Sequence, residues 1–256
     1  MKIAFLTAGG IAPCLSASIG ALIECYAETA PDAELIGYLN GYQGLLKGRF
    51  IEFPVNASSE ANLLYKYGGS PLGNSRVKLT NAEDCVRKVL VSGGDLPLEV
   101  AAKQLQMDRV TILHTIGGDD TNTMAAELAR YLSENNYDLT VVGLPKTVDN
   151  DIVPISQSLG ADTAAEQGAL FFENIANENT ASPRNLIIHE VMGRHCGWLT
   201  AATAKKYRDH LANRTFNGDL NLYRENWDID AIYIPELQVD LGMEGQRLAE
   251  KMDQKD

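Results

Sequence analysis

Short apolar runs and stripes of helical spacing alternate along this chain of 256 residues. Apolar residues at i, i+3 and i+4 predict helices, and short apolar runs bounded by turn residues predict buried strands. The predicted strands are 2–7, 34–39, 110–116, 139–144, 186–191 and 231–234. The predicted helices are 16–26, 58–67, 81–90, 98–105, 121–132, 162–176, 198–206 and 244–252.

Repeated strand-then-helix units are typical of the α/β class with a parallel, doubly wound sheet. In such sheets ligands bind in the crevice beyond the carboxyl ends of the strands, so the loops that follow strands are where chemistry is expected. The strand that ends at Leu144, followed by Pro145, is the predicted point at which the chain passes from a first to a second domain.

Composition narrows the class of protein. Hydrophobic residues make up 45% of the chain and charged residues 22%, which is ordinary for a soluble globular protein. No apolar run reaches the length of about 18 residues that a membrane span requires, and the first run is too short for a signal peptide. The net charge of −12 opposes binding to nucleic acid or to an anionic membrane. A phosphate ligand would therefore need a local array of donors.

Cysteine and histidine spacing gives no metal or disulfide pattern. The four cysteines are scattered, at Cys14, Cys25, Cys85 and Cys196. This usage favours reduced thiols in a cytoplasmic protein. The adjacent pair His195 and Cys196 lacks the second pair of ligands that a zinc site requires, so metal ligation there is not favoured.

Glycine and aspartate follow two of the predicted strands. Gly9 and Gly10 form a strand-to-helix turn that lets backbone N–H groups approach a phosphate, although such a turn is also common as plain structure. The turn matches neither the dinucleotide fingerprint nor the P-loop. Gly118 precedes Asp119 and Asp120, which open the next predicted helix. These carboxylates either cap that helix or hold Mg²⁺.

The segment 146–151 is difficult to explain by structure alone, because it combines one cation, Lys146, with two carboxylates, Asp149 and Asp151. This set suits phosphoryl transfer, which needs a base for a hydroxyl proton and a cation for the charge that develops on the transferring oxygens. Arg76 and Arg194 each follow a glycine-rich turn, and arginine is well shaped to bind phosphate oxygens.

Six motifs in order along almost the whole chain carry a family resemblance. They are GYQGLL, GGSPLGNSR, GGDDTN, PKTVDND, MGRHCG and the IPE at 234–236. Together they resemble the phosphofructokinases, and within them the pyrophosphate-dependent branch. The resemblance implies a Mg²⁺-dependent phosphotransferase that moves a phosphoryl group from pyrophosphate to C1 of fructose 6-phosphate, a reversible step of glycolysis and gluconeogenesis.

The resemblance also implies the roles of individual residues. The catalytic residues would be Asp149, as the base for the 1-hydroxyl of the sugar, and Lys146; the metal would lie at Asp119. Donor-binding positions would be Gly9, Gly10, Arg76, Gly118 and Asp120. Sugar-phosphate positions would be Thr147, Asp151, Met192, Gly193, Arg194 and Glu236. Relatives that use ATP have glycine where this chain has Asp120 and Lys146, so these two residues imply pyrophosphate as donor: Asp120 would fill the space of the α-phosphate of ATP with negative charge.

The implied architecture is two doubly wound, Rossmann-like domains. Residues 1–144 would bind the phosphoryl donor and residues 145–256 the sugar phosphate. Family members continue beyond this point and supply a His and an Arg that hold the 6-phosphate of the sugar, so the resemblance implies a second domain that is incomplete at its C-terminus. It further implies a cytoplasmic homo-oligomer, a dimer or tetramer, with no nucleic-acid or membrane partner.

Three other functions compete with this interpretation. An ATP-dependent phosphofructokinase is opposed by Asp120 and Lys146. An NAD kinase, whose family also uses a GGD-type loop, would leave PKTVDND and MGRHCG unexplained. A non-catalytic subunit of a larger kinase would have no physical need for Asp149 and Asp119.

Overall fold

The computed structural model describes residues 1–10, 12–54, 56–181 and 184–255. The strands within these residues are β1 (Lys2–Thr7), β2 (Glu34–Tyr38), β3 (Phe50–Phe53), β4 (Ile112–Gly117) and β5 (Thr140–Pro145). The α-helices are α1 (Leu15–Thr29), α2 (Tyr42–Leu46), α3 (Ala82–Arg87), α4 (Pro97–Met107), α5 (Asp119–Glu134), α6 (Ala161–Asn179), α7 (Trp198–Ala212) and α8 (Leu241–Lys255). Short 3-10 turns lie at Ala57–Ser59, Ala61–Lys66, Gly218–Leu220 and Arg224–Asn226.

The described strands form one sheet in the order β3-β2-β1-β4-β5. β1 pairs in parallel with both β2 and β4, and β4 pairs in parallel with β5, whereas β3 runs antiparallel to β2. The chain reaches β2 on one side of β1 and β4 on the other, so the strand order reverses at β1. Because ligands of such sheets bind beyond the carboxyl ends of the strands at this reversal, the turns after Thr7 and Gly117 mark the expected site.

Helices cover both faces of this sheet. Phe5 of β1 packs in one core with Ile19 of α1. Leu6, the next residue, points to the opposite face because strand side chains alternate. There it belongs to a second core that includes Leu105 of α4 and Leu128 of α5. All five side chains are fully buried, and the predicted α/β class with parallel, doubly wound strands is confirmed.

The chain divides into two compact units. Unit 1 is Met1–Thr147 together with Ser158–Gly160, and it contains the whole sheet. Unit 2 is Val148–Gln157 together with Ala161–Asp256, and it contains α6, α7 and α8.

Unit 2 is built on the close packing of α6 against α7. A Cβ at Gly168 of α6 would lie only 2.9 Å from the Oγ1 atom of Thr203 of α7, so the glycine permits the close approach. Tyr207 of α7 is fully buried and meets the ring of Phe172 edge-on, with ring centroids 4.7 Å apart. Its hydroxyl donates to the carbonyl oxygen of Trp227 at 2.6 Å, and burial raises the pKa of Tyr207 to about 12.

The two strands predicted in unit 2 are wrong as regular elements, since residues 186–191 and 231–234 are irregular backbone. Both segments have the apolar composition of buried strands, but a strand also needs an adjacent strand to pair its N–H and C=O groups. No backbone ladder reaches either segment from the described residues. Apolar composition alone was therefore insufficient to predict strands at 186–191 and 231–234.

In unit 1 the differences from prediction are smaller. The predicted helix 58–67 consists of 3-10 turns, and the predicted helix 81–90 is the shorter α3. β3 was not predicted; its burial is intermediate or exposed, so it lacks the apolar run that marks the inner strands. The predicted strand 2–7 is present with the same ends, and the remaining predicted helices and strands are present with shifted ends.

The described helices include none long and apolar enough to cross a membrane. Cys14, Cys25, Cys85 and Cys196 are free thiols.

Candidate active site

The turn after β1 brings glycine backbone to the carboxyl end of the sheet. Gly9 has a φ of +83°, which disfavours any side chain, and a Cβ there would lie 3.1 Å from Thr121 Oγ1. The Gly9 N–H donates to the carbonyl oxygen of Ser75 at 2.9 Å. This bond ties the turn, which also contains Gly10, to the segment that carries Arg76.

The loop that leads into Arg76 is fastened to the last residue of β1. The hydroxyl of Thr7 donates to the carbonyl oxygen of Gly73 at 2.6 Å and lies 2.6 Å from the hydroxyl of Ser70. Leu72, between these two contacts, is 1% exposed and packs in the core with Phe5. The sheet therefore fixes the position of this loop through both hydrogen bonds and burial.

The turn after β4 presents the N-terminus of α5. Gly118 is its N-cap residue and makes no side-chain cap, so Asp119 and Asp120 lie in the first turn and do not cap the helix. The side-chain amide of Asn122 donates to the carbonyl oxygens of Gly117 and Gly118, at 2.7 and 3.0 Å, and holds the turn in place. Carboxylates in a first turn are favourable beside the positive end of the helix dipole.

Asp120 forms an ion pair with Lys78 at 2.9 Å, and both side chains are substantially exposed. Sequence reasoning missed Lys78. A sequence pattern that indicates Lys78 was available, because the apolar residues Val77 and Leu79, which are buried, alternate with Arg76 and Lys78, which are exposed. This period of two, typical of an extended segment, places both cations on one side of the chain.

These turns enclose a cleft of about 390 Å³ within unit 1. Its walls are formed by Ala8, Gly9, Gly10, Ser75, Arg76, Val77, Lys78, Gly118, Asp119, Asp120 and Thr121. The structure thus brings together all five predicted donor-binding residues and the predicted metal residue, although they come from three separate stretches of the sequence.

Lys146 follows β5 and lies behind the first glycine turn. It is 4% exposed, and its Nζ donates to the carbonyl oxygen of Gly10 at 2.5 Å. Burial lowers the pKa of this amine, and the nearby positive charge of Arg76 lowers it further, against the opposing effect of Cys14. The side chain therefore orders the turn that borders the cleft and adds a positive charge beneath it.

Thr147 also belongs to unit 1. Its carbonyl oxygen accepts from the hydroxyl of Ser158 at 2.5 Å, and the backbone of Leu159 bonds to that of Pro145 at 3.0 Å. Ser158, which was not predicted, is 3% exposed and fastens the chain where it leaves and re-enters unit 1.

In unit 2 the loop at 192–197 lies beside Asp149. The thiol of Cys196 donates to the carbonyl oxygen of Asp149 at 3.3 Å. A Cβ on Gly193, whose φ is +117°, would lie 2.2 Å from the Cys196 carbonyl oxygen and 3.8 Å from Asp149 Oδ1. Only glycine permits the close approach to the Cys196 carbonyl oxygen, and the hydrogen bond of Cys196 brings the predicted sugar-phosphate loop to the predicted base.

Glu236 contacts the same loop. Its Oε1 accepts from the backbone N–H of Gly197 at 2.8 Å, at the N-terminus of α7. Met192 and Arg194 are exposed on the loop, and Asp151 is exposed after Asp149. Cys196 was not predicted to have a role beside Asp149, and no sequence pattern indicated one.

The described residues contain no group of three or more His, Cys, Asp or Glu side chains able to hold a metal ion by themselves. Asp119 and Asp120 nevertheless border the cleft with carboxylate oxygens. Mg²⁺ usually keeps several waters and binds through one or two carboxylates together with substrate phosphates. The donor set at the cleft fits a metal of that kind, bound jointly with a phosphorylated ligand.

Comparison with known proteins is consistent along the whole chain. The profile of the family described as phosphofructokinase matches residues 2–255. The pyrophosphate--fructose 6-phosphate 1-phosphotransferase of Methylomonas methanica is 57% identical over 255 residues, covering 100% of this chain and 62% of the relative. The enzyme of the same name from Propionibacterium freudenreichii subsp. shermanii is 56% identical over 253 residues, covering 99% of this chain and 63% of the relative. An ATP-dependent 6-phosphofructokinase 2 of Streptomyces coelicolor is 35% identical over 199 residues, or 78% of this chain and 52% of the relative.

Solved structures agree on the fold. The pyrophosphate-dependent phosphofructokinase of Marinobacter aquaeolei superposes with a TM-score of 0.75 at 23% identity, covering 98% of this chain and 57% of that structure. The chain thus spans somewhat less than two thirds of the length of the relatives described above. With its family profile matched from residue 2 to residue 255, the chain belongs to the phosphofructokinase family.

Proposed function

We propose that the protein is a pyrophosphate-dependent phosphotransferase that phosphorylates C1 of fructose 6-phosphate. One observation carries the proposal: relatives with this name match nearly the entire chain at 55–57% identity, whereas the ATP-dependent relative from S. coelicolor matches 78% of the chain at 35% identity. The C1 hydroxyl oxygen attacks one phosphorus of pyrophosphate, the bridging P–O bond breaks, and fructose 1,6-bisphosphate and phosphate are formed.

The cleft of unit 1 supports the role of donor site. A diphosphate bound there meets the Gly9–Gly10 turn, the positive end of α5 and the guanidinium of Arg76. Arg76 forms no ion pair or hydrogen bond with any described residue, so its donors are available to phosphate oxygens. Because the chain carries a net charge of −12, these local donors must supply the attraction.

A magnesium ion belongs to the same proposal. Asp119, in the first turn of α5 and at the edge of the cleft, is the residue that would hold it, together with oxygens of the bound diphosphate. When bound, Mg²⁺ neutralises charge that develops on the phosphate oxygens during transfer.

Asp149 is proposed as the base that takes the proton of the C1 hydroxyl, and Lys146 as the cation that stabilises the transferring phosphoryl group. The hydrogen bond from Cys196 to the carbonyl oxygen of Asp149 supports a sugar site within unit 2 that includes Asp149 and the loop at 192–197. The other residues proposed to bind the sugar phosphate are Thr147 of unit 1 and Asp151, Met192, Arg194 and Glu236 of unit 2. In this assignment residues 1–144 form the donor domain and residues 145–256 the sugar-phosphate domain.

The choice of donor is proposed to depend on Asp120 and Lys146. Asp120 stands at the edge of the cleft and adds a carboxylate where a longer polyphosphate would continue. Lys146 brings its charge to the carbonyl of Gly10, close to the shorter donor. The proposal also includes a cytoplasmic location and a homo-oligomeric state.

The test is a turnover assay of the full-length protein with fructose 6-phosphate and Mg²⁺, offered pyrophosphate or ATP in parallel. Turnover with pyrophosphate and little with ATP supports the proposal. A preference for ATP contradicts the donor assignment and leaves the sugar assignment standing. Absence of turnover with either donor contradicts the proposed activity as a whole.

A further inference from the structure

One hydroxyl in unit 1 is buried without a hydrogen-bond partner at a place where a ligand is expected. The Oγ atom of Ser75 is inaccessible to solvent and bonds to none of the residues that the structure describes. A buried hydroxyl without a partner is destabilising, and in folded proteins such groups are usually satisfied by protein, water or ligand.

Ser75 lies in the wall of the 390 Å³ cleft, next to Arg76. Its own carbonyl oxygen accepts from the N–H of Gly9 at 2.9 Å, so the residue is tied to the glycine turn on the other side of the cleft. Buried side chains hold the segment on both flanks: Leu72 is 1% exposed and Val77 is 5% exposed. The backbone of Ser75 is therefore held on both sides of the residue.

Other unpartnered groups do not share this placement. The hydroxyls of Ser16 and Thr115 and the Oδ1 of Asn74 are also buried without partners, but none of these residues borders the cleft. Oδ1 of Asn74 is moreover an acceptor and offers nothing to a phosphate oxygen, whereas a serine hydroxyl donates. Among these groups Ser75 alone combines a free donor with a position at the cleft.

We propose that the Ser75 side chain turns about χ1 when the phosphoryl donor binds, so that its hydroxyl reaches the cleft and donates a hydrogen bond to one of the phosphate oxygens. The inference rests on the proposed function, because it takes pyrophosphate as the ligand of the cleft. It adds a neutral donor to the charged and backbone donors already described. None of the described residues takes this hydrogen bond in the free protein, and the bound anion accepts it.

If Ser75 has this role, its replacement by alanine should weaken pyrophosphate binding without lowering the stability of the free chain. The change Ser75→Ala removes a hydroxyl that bonds to none of the described residues, so stability of the free chain should stay the same or rise. The same change removes a hydrogen bond to an anion, so pyrophosphate should bind roughly tenfold to a hundredfold more weakly. Ser75→Thr keeps the hydroxyl and should keep most of the affinity.

Ser70→Ala is the matched control. Ser70 lies in the same loop with a similar burial, but its hydroxyl is used within the protein, by Thr7 Oγ1 at 2.6 Å and by the N–H of Leu72 at 3.2 Å. Removing it should lower stability and leave pyrophosphate affinity nearly unchanged. The two alanine variants should therefore have opposite signatures.

The experiment is calorimetric titration of the 256-residue chain and its variants with pyrophosphate in the presence of Mg²⁺, together with urea unfolding of each without ligand. Loss of affinity in Ser75→Ala without loss of stability, with the reverse in Ser70→Ala, supports the inference. Unchanged affinity in Ser75→Ala overturns it, even where the unaltered chain binds pyrophosphate and turnover follows the proposed function. Reduced stability in Ser75→Ala also overturns it, because the hydroxyl would then be used within the protein. If the unaltered chain does not bind pyrophosphate, the donor site and this inference both fail.

Discussion

Unit 1 and unit 2 satisfy their buried backbone groups in different ways. In unit 1 the central strand β1 bonds to a parallel neighbour on each side, and helices close both faces of the sheet. In unit 2 the described core is made by α6 and α7, while residues 186–191 and 231–234 carry no ladder. A helix contains its own hydrogen-bond partners, but a strand must find them in another segment. The same two segments are also largely exposed, since Ile188 is 81% and Tyr233 42% exposed, so an apolar run alone secures neither burial nor a strand.

The two units also differ in the polar interactions that hold their own elements together. Ion pairs join α6 to α7 and to the residue Arg214 just beyond it: Lys206 with Asp162 and Glu166, and Arg214 with Glu173, at 2.9 to 3.2 Å. His210 Nε2 of α7 also lies 3.1 Å from Glu166 Oε1. In unit 1 the candidate site is instead held by hydrogen bonds from buried or half-buried groups such as Thr7, Asn122 and Lys146. Partly exposed ion pairs contribute little each, so we expect unit 1 to be the better ordered support.

The largest expected effect concerns the chemistry assigned to unit 2. Asp149→Ala should lower kcat by roughly 10²–10⁴ with a modest change in the KM of the sugar, because the base for the C1 hydroxyl is lost. Steady-state rates in both directions of the reaction measure this. Asp209→Ala is the control, since Asp209 pairs with Lys205 on an exposed face of α7. A loss below about tenfold in both directions would remove Asp149 from this role.

The next prediction compares the stability lost when a buried leucine is removed from the core of each unit. Leu6→Ala in β1 should destabilise the protein by about 2–5 kcal/mol, because a fully buried side chain is removed from a sheet that relaxes little. Leu211→Ala in α7 should cost less, although Leu211 is 1% exposed, because it belongs to a smaller cluster that adjusts more easily. Urea unfolding followed by circular dichroism gives both values. Equal costs would contradict the contrast drawn between the two units.

A smaller effect concerns the donor cleft of unit 1. Asp120→Gly should raise kcat/KM for ATP by roughly tenfold, since like-charge repulsion at the edge of the cleft is removed. Lys146→Gly should chiefly weaken the use of pyrophosphate, because a positive charge near the reacting phosphates is lost. Asp84→Gly is the control, as Asp84 lies in the first turn of α3 and pairs with Lys88 away from the cleft. An unchanged ratio of ATP to pyrophosphate use in Asp120→Gly would refute the role of Asp120.

The smallest effect is a pH dependence that belongs to unit 1. His114 of β4 bonds to the hydroxyl of Tyr26 at 2.6 Å, its Nδ1 has no partner among the described residues, and burial lowers the pKa of the imidazole. The folded state therefore binds the proton less readily than the unfolded state, whose pKa is about 6.5. Stability is complete above that pH and should fall as the pH drops from there to the lower pKa of the folded state.

His114→Gln should flatten this acid-side loss, while the exposed His195→Gln should leave it as it is. The free energy of urea unfolding at about pH 8 and about pH 5 measures the difference. If His114→Gln loses as much stability on acidification as the unaltered protein, the dependence arises elsewhere.

Much of the secondary structure of unit 1 was predictable because the sequence patterns that indicate it involve neighbouring residues. The apolar run of β1, the stripe Met124, Leu128 and Leu132 of α5, and the glycine turns after β1 and β4 each follow from neighbouring residues. These patterns were sufficient for the strand-helix alternation and for the edge of the sheet at which ligands bind. β3 was not predicted because an edge strand that is half exposed lacks a continuous apolar run.

The candidate site was predictable as a set of residues and not as an arrangement. The sequence motifs included Gly9, Arg76 and Asp120, but nothing in their spacing revealed that Ser75 receives the N–H of Gly9 or that Lys78 pairs with Asp120. Likewise the hydrogen bond from Cys196 to Asp149 joins residues 47 positions apart. Contacts of this kind depend on how separate elements are packed.

By itself the sequence determined the α/β class and the family, and it named the residues proposed to carry chemistry, because periodicity and short motifs are properties of neighbouring positions. The tertiary structure decided which runs became strands: 112–117 pairs with β1 and β5, whereas 186–191 does not pair with any described strand. It also decided that the Lys146 amine binds the Gly10 carbonyl and that the Ser75 hydroxyl has no partner among the described residues. The physical reason is that backbone pairing and burial are satisfied between segments far apart in sequence, so their outcome is fixed only when those segments meet.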